Sequence, residues 1–220
     1  MEDQQIRMSP FMLGSMVVKY KLPDVMVNEI NELYEARSKK LPTHGHSLVG
    51  QIKDEKLVKD IISEDHNSIF KMCFETYLTQ LGKDRWDVRL ENVWINEMFA
   101  GEYNPTHWHS SPKADLGLSS VLMLKRPDTY GKEVKPNDPT NGMLELTGGS
   151  QDPLGICNWK ADLEVGDFLV FPFTMLHTAY PFNGTKQSRR TLSYNCDLVL
   201  KTMNPMPPQK TNPLFTPYKR

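Results

Sequence analysis

The sequence predicts a mainly β protein, a double-stranded β-helix or jelly roll with flanking α-helices. Three observations carry that prediction. From Asp87 to Leu200 the chain breaks into short apolar or alternating runs, with Gly, Pro, Asn and Asp in the gaps. One run, Phe168-Leu169-Val170-Phe171, is apolar throughout, opens on Gly166-Asp167 and ends at Pro172, the pattern of a strand buried on both faces. Helical periodicity falls between residues 24 and 81 instead. The 220 residues suffice for a sizeable core and read as one domain: helical support over 1–85, a jelly-roll core over 86–202 and a Pro-rich tail over 203–220.

The elements follow in order. Met16-Val17-Val18-Lys19-Tyr20 reads as an edge strand, and Pro23-Asp24 as a helix start. Val27, Ile30, Leu33 and Tyr34 then recur at helical spacing through Ala36, as in a helix packed outside a sheet. Thr43-His44-Gly45-His46 sits in a loop setting without alternation and reads as a solvent-facing or capping pair. Residues 57–62 suggest a short helix. A longer one is expected from a cap at Asn67-Ser68 to Leu81, with Phe70, Cys73, Phe74, Tyr77, Leu78 and Leu81 in one stripe and Gly82 as its stop. His66, just before it, reads as a local hydrogen-bonding residue. Strands are expected over 87–96, 106–110, 118–124, 143–147, 159–163, 167–171 and 189–200. Residues 128–141, rich in Pro, Lys, Asp and Gly, are expected to form a long surface loop over one end, either a lid or substrate-binding element or a mobile insertion.

Composition narrows the function classes. A net charge of −1 argues against broad attraction to nucleic acid or membranes, and no apolar run reaches membrane-spanning length. Cys73, Cys157 and Cys196 are odd in number and far apart, so they predict buried thiols in a reducing compartment rather than a disulfide framework. The acidic opening Met1-Glu2-Asp3-Gln4-Gln5 lacks the order of a secretory signal, and a cytoplasmic location is expected. The tail is expected to lie extended or to dock on a neighbour, a homodimer being one outcome.

The chemistry concentrates in Asn104-Pro105-Thr106-His107-Trp108-His109. On a strand, His107 and His109 point to one face and Trp108 to the other, where it is expected to pack. Two neutral imidazoles so placed can share a metal ion. His177 follows the apolar run 168–172 and is the third candidate. Gly101 stands before His107 and Gly166 before Pro172, so glycine turns bring these elements to the open end of a barrel. Further on, alternation places Arg189, Thr191, Ser193 and Asn195 on one face, and Arg190 with Leu192 and Tyr194 on the other. A guanidinium near the metal suits a carboxylate-bearing co-substrate.

Taken together, Val93-Trp94-Ile95-Asn96, Gly101, Asn104 to His109, Leu118-Ser119-Ser120-Val121, Gly166 to His177 and Arg189 to Asn195 resemble the 2-oxoglutarate/Fe(II)-dependent oxygenase superfamily. The nearest branch is the oxygenases of tailed phages and bacteria related to prolyl hydroxylases, and a phage-encoded chain would work in the host cytoplasm. The resemblance spans about residues 88–197 and implies a cupin-like core. It implies Fe(II) held by His107 and His177, with His109 where most members carry an aspartate; Asp115 is the carboxylate alternative. It implies 2-oxoglutarate held by Arg189, with Arg190 as runner-up, and by Thr191 at the hydroxyl position, Ser193 lying on the same face. The branch commonly has a tyrosine where this chain has Met123, and Tyr103 or Tyr194 is the expected substitute. The implied reaction uses dioxygen to hydroxylate an unactivated C–H bond, by analogy a prolyl or other protein side chain. Zinc or nickel could replace iron at such an imidazole site, and two rivals stay open: a cupin-type three-His dioxygenase, isomerase or epimerase without 2-oxoglutarate, and a non-enzymatic phage structural protein.

Overall fold

A computed structural model describes residues 7–13, 15–148 and 157–201; the Pro-rich tail and the first residues lie outside them. Among the described residues the order is β1 (Arg7–Leu13), β2 (Ser15–Lys21), α1 (Asp24–Arg37), β3 (Asp54–Leu57), α2 (Glu64–Gln80), β4 (Trp86–Met98), β5 (Asn104–His107), β6 (Gly117–Lys125), β7 (Leu144–Thr147), β8 (Asn158–Ala161), β9 (Asp167–Pro172), β10 (Leu176–Ala179) and β11 (Arg189–Leu200). The strands form a seven-stranded sheet, β1-β2-β9-β6-β11-β4-β3, and a four-stranded sheet, β5-β10-β7-β8, antiparallel throughout. Two facing antiparallel sheets with helices on one outer face are the jelly-roll architecture the strand spacing predicts.

Strand alternation divides the large sheet into two chemistries. Outward, Phe168 and Val170 of β9, Leu122 and Leu124 of β6 and Leu192, Tyr194 and Cys196 of β11 meet the apolar stripes of α1 and α2 in one core. Inward, Leu169, Phe171, Val121 and Met123 meet Leu144, Leu146 and Ala161 of the small sheet in a second. This explains the unbroken apolar run in β9: both of its faces are covered. Burial pushes the thiols of Cys73 and Cys196 up to about 12, which leaves them inert packing groups.

The N-terminal part differs from expectation in three ways. Besides the strand expected at 16–20 it supplies β1 and β3, and that strand, β2, is interior rather than an edge, because β1 pairs with one side of it and β9 with the other. Residues 57–62 hold the end of β3 and a single 3-10 turn, Lys59–Ile61, rather than a short helix. Helix α2 begins at Glu64, earlier than Asn67-Ser68 suggests. Ser63 is its cap: the Ser63 Oγ accepts from the His66 N–H at 3.1 Å, and His66 Nδ1 accepts from the Ser63 N–H at 3.3 Å. An imidazole therefore fills the Glu or Gln position of a capping box, which hides the box in the sequence. Asn67 instead accepts from the Tyr194 hydroxyl at 2.9 Å and ties α2 to β11. No helix among the described residues is long and apolar enough to cross a membrane.

Candidate active site

His107 and His177 are cross-strand partners on β5 and β10. β5 stops at His107, so alternation alone does not place His109. The backbone N–H of His109 donates to the Phe173 carbonyl at 2.7 Å, and that bond turns its ring toward the other two. The three imidazoles each offer a nitrogen within 4.8 Å of the others, and among the described residues no carboxylate joins them. Asp115 is exposed on the segment before β6 and outside this group.

The surroundings prepare these rings for a metal. His107 Nδ1 lies 2.7 Å from the Pro105 carbonyl, and His177 Nδ1 lies 2.9 Å from that of Met175. A carbonyl only accepts, so each Nδ1 is assigned the proton and each Nε2 keeps its lone pair. His109 Nε2 lies 3.3 Å from His177 Nε2. Burial lowers the pKa of His107, and burial together with the neighbouring imidazoles brings His109 to about 4 and His177 to about 3. Neutral rings are the form that binds metal.

These histidines open onto a cleft whose far wall is the inner face of the large sheet. Arg189, Thr191 and Ser193 of β11 and Trp94 and Asn96 of β4 line it, with Asn104, Val121 and Leu144. Arg189 is 2 % exposed, and among the described residues its Nε has no partner. Its guanidinium hydrogen-bonds Tyr130, and among the described residues no carboxylate pairs with it. Burial works against its charge. A buried cation without a counter-ion is costly unless an anion arrives. Arg190, one residue on, faces the helices: its Nε donates to Glu97 at 2.5 Å and its Nη1 to Asn31 at 2.8 Å and Glu35 at 3.2 Å. The two arginines are thus separated by strand alternation, and the one in the cleft is unpaired.

Several sequence expectations are corrected here. Neither Tyr103 nor Tyr194 reaches the cleft: Tyr103 is exposed, and the Tyr194 hydroxyl serves α2. Met123 packs in the inner core. The tyrosine near Arg189 is Tyr130, from the 128–141 loop. That loop is anchored, since Asn141 donates to the Tyr130 carbonyl at 3.1 Å and Tyr130 packs on Phe182 with ring centroids 5.5 Å apart. Gly142, at φ +68°, seats the Tyr130 ring where a Cβ would lie 2.4 Å from it. Trp108 does not pack: it is 61 % exposed at the cleft mouth, beside Leu48 and Val49 of the loop before β3. Of the early pair, His44 stacks 5.5 Å from Trp94, itself 5.8 Å from His109, and joins no metal-competent group among the described residues. Trp94 and Asn96 were legible through alternation on β4; Tyr130 carried no local signal.

Comparison with known proteins agrees with this geometry. Residues 92–195 match the family described as "Putative 2OG-Fe(II) oxygenase", a segment that contains all three histidines and Arg189. No curated protein matches the chain. Similar solved structures include a prolyl hydroxylase from Trichoplax adhaerens in complex with a hypoxia inducible factor oxygen degradation domain peptide fragment (12 % identity, TM-score 0.56, 84 % of each chain). A Pseudomonas putida prolyl-4-hydroxylase is also similar (13 %, 0.54, 84 % of this chain and 94 % of that one), as is AviO1 from Streptomyces viridochromogenes (11 %, 0.54, 82 % and 89 %). At these identities the structural likeness speaks for the fold. The family match, carried on the segment that builds the cleft, sets aside the readings without 2-oxoglutarate and without catalysis. Residues 92–195, just under half of the chain, thus carry the match to the 2-oxoglutarate/Fe(II)-dependent oxygenases.

Proposed function

We propose that His107, His109 and His177 hold the Fe(II), that Arg189, Thr191 and Ser193 receive 2-oxoglutarate, and that the reaction hydroxylates an unactivated C–H bond. The observation that carries this reading is the pairing of two incomplete groups in one cleft. Three neutral imidazoles stand close enough to share one metal ion, and a buried guanidinium with no carboxylate partner among the described residues lines the same cleft. A metal and a dicarboxylate complete both. Three neutral ligands leave the two charges of the metal uncompensated, which favours a doubly charged co-substrate there.

Fe(II) and 2-oxoglutarate supply the oxidising chemistry with dioxygen when bound. The chain's residues bind and orient. Arg189 offers a planar fork to the distal carboxylate. Thr191, two residues along the same face, adds a hydroxyl, and Ser193 continues that face of the cleft. The Tyr130 hydroxyl holds the guanidinium from behind in place of a strand tyrosine. The inner core keeps this end of the cleft dry, which strengthens these contacts.

The substrate is a protein side chain, prolyl or another, in this reading. The exposed Trp108 and Val49 at the mouth give an extended chain an apolar rim to lie on. We place the work in the cytoplasm, in one domain over residues 1–220. Anaerobic titration with Fe(II) and then 2-oxoglutarate tests the assignment. A weak visible charge-transfer band is expected in the wild type and absent in His177→Ala. A band of equal strength in His177→Ala would remove that histidine from the metal.

A further inference from the structure

Glu55 is the most conspicuous polar group that the reaction leaves unused. It is 1 % exposed, and among the described residues neither carboxylate oxygen has a hydrogen-bond partner. In the register of β3, β4 and β11, Glu55 stands opposite Asn96, and Asn96 opposite Thr191. The three side chains therefore occupy one inward-facing row across adjacent strands, and Glu55 lies about 10 Å from Thr191, two strand spacings away.

Its neighbours are unpartnered acceptors too. Asn96 Oδ1, on a residue 8 % exposed, and Asn104 Oδ1 both line the cleft and both lack a partner. Gly50 closes the group from the loop: a Cβ there would lie 2.8 Å from Glu55 Oε1 and 3.6 Å from Asn104 Oδ1. The glycine leaves room for the carboxylate and brings these two oxygens toward one point. Burial pushes the Glu55 carboxyl up to about 7, and the charge of Glu102 adds to the rise. The Glu102 Oε2 is already engaged by the Phe99 N–H at 2.9 Å. Two acceptor oxygens, Glu55 Oε1 and Asn104 Oδ1, approach one point, with the unpartnered Asn96 Oδ1 in the same row as Glu55, and a cation with N–H groups would satisfy them.

We propose that Glu55, Asn96 and Asn104 form a subsite for a positively charged nitrogen of the primary substrate, an ammonium or guanidinium. This rests on reading the cleft as the oxygenase site, and it names the chemical class of what enters beside the co-substrate. The loop 45–50, whose Ser47, Leu48 and Val49 line the same cleft, is the wall that such a group would press against.

The test titrates three probes into Fe(II)- and 2-oxoglutarate-loaded protein without oxygen, read by calorimetry. The probes are Nα-acetyl-lysine methylamide, Nα-acetyl-norleucine methylamide and norleucine methylamide, with a side-chain cation, no cation and an α-ammonium. At least one cationic probe is expected to bind about tenfold or more tighter than the uncharged one. Which one does so tells a side-chain cation from a free amine. Glu55→Gln should abolish the preference and keep the Fe(II)–2-oxoglutarate band, and Asn104→Ala should weaken the preference independently. Equal binding of all three probes to wild type, or a preference that survives Glu55→Gln, overturns the proposal. Loss of the band in wild type would instead count against the oxygenase assignment, and the calorimetric preference would still judge the subsite.

Discussion

The two faces of the large sheet treat polar groups in opposite ways. Toward the helices, buried polar groups find partners. Tyr20 donates to the Cys73 carbonyl at 2.7 Å and Tyr77 to that of Met16 at 2.8 Å, while Arg190 is enclosed by Glu97, Glu35 and Asn31. Tyr34 is the exception, its hydroxyl unpartnered while its ring lies under the Arg190 guanidinium at 4.7 Å. On the inner side, Arg189 Nε, Asn96 Oδ1 and Asn104 Oδ1 at the cleft, and both oxygens of Glu55 behind its lining, have no hydrogen-bond partner among the described residues. A folded chain ordinarily satisfies such groups. The difference teaches that the outer face satisfies its polar groups within the fold, whereas the inner face leaves groups open in the way the proposed binding site requires.

That contrast can be broken from either side. Arg190→Ala should have the largest effect on stability, because it leaves Glu97 buried and charged without its partner, a loss of about 3–5 kcal/mol. Urea unfolding measures it, and a change below about 1 kcal/mol would show that the outer network is not what holds α1 to the sheet.

Glu55→Gln comes next and acts in the other direction. The Glu55 carboxyl titrates near 7 in the fold against an ordinary value of 4.5. A raised acid binds its proton more tightly when folded, so its contribution is fully present below about 4.5 and is lost as pH rises through 7. The whole change is about 3 kcal/mol. Above pH 7 the amide variant should therefore be the more stable protein, and the two should converge near pH 4.5. Parallel pH profiles would mean that Glu55 is already compensated. Smallest is Trp108→Ala, at the exposed mouth, where stability should shift by no more than about 0.5 kcal/mol. A larger loss would mean that Trp108 packs after all.

Much of this was legible in the chain itself. The apolar run 168–171, sealed by Gly166 and Pro172, announced a strand covered on both sides. Period-two alternation on β11 alone separates Arg189 from Arg190. The three histidines stood out because imidazoles near turn glycines have few structural uses in common. What was hidden depends on contacts remote in sequence. His66 caps α2 in a role usually filled by Glu or Gln. β2 is interior only because a further strand precedes it. Tyr130 reaches Arg189 through a loop whose path is set by Phe182 and Gly142. Glu55 looked like one more charge in an Asp-Glu-Lys stretch, and only the register against Asn96 shows which way it faces.

The central claim is that the cleft arginine, and not its neighbour, receives the co-substrate. The direct measurement is calorimetric titration of 2-oxoglutarate into Fe(II)-loaded wild type, Arg189→Ala and Arg190→Ala without oxygen, at a temperature where all three are folded. Loss of a buried charge-assisted pair predicts affinity weakened by about 100-fold or more in Arg189→Ala, with Arg190→Ala near wild type. Equal affinity in Arg189→Ala and wild type, or a loss confined to Arg190→Ala, would contradict the account.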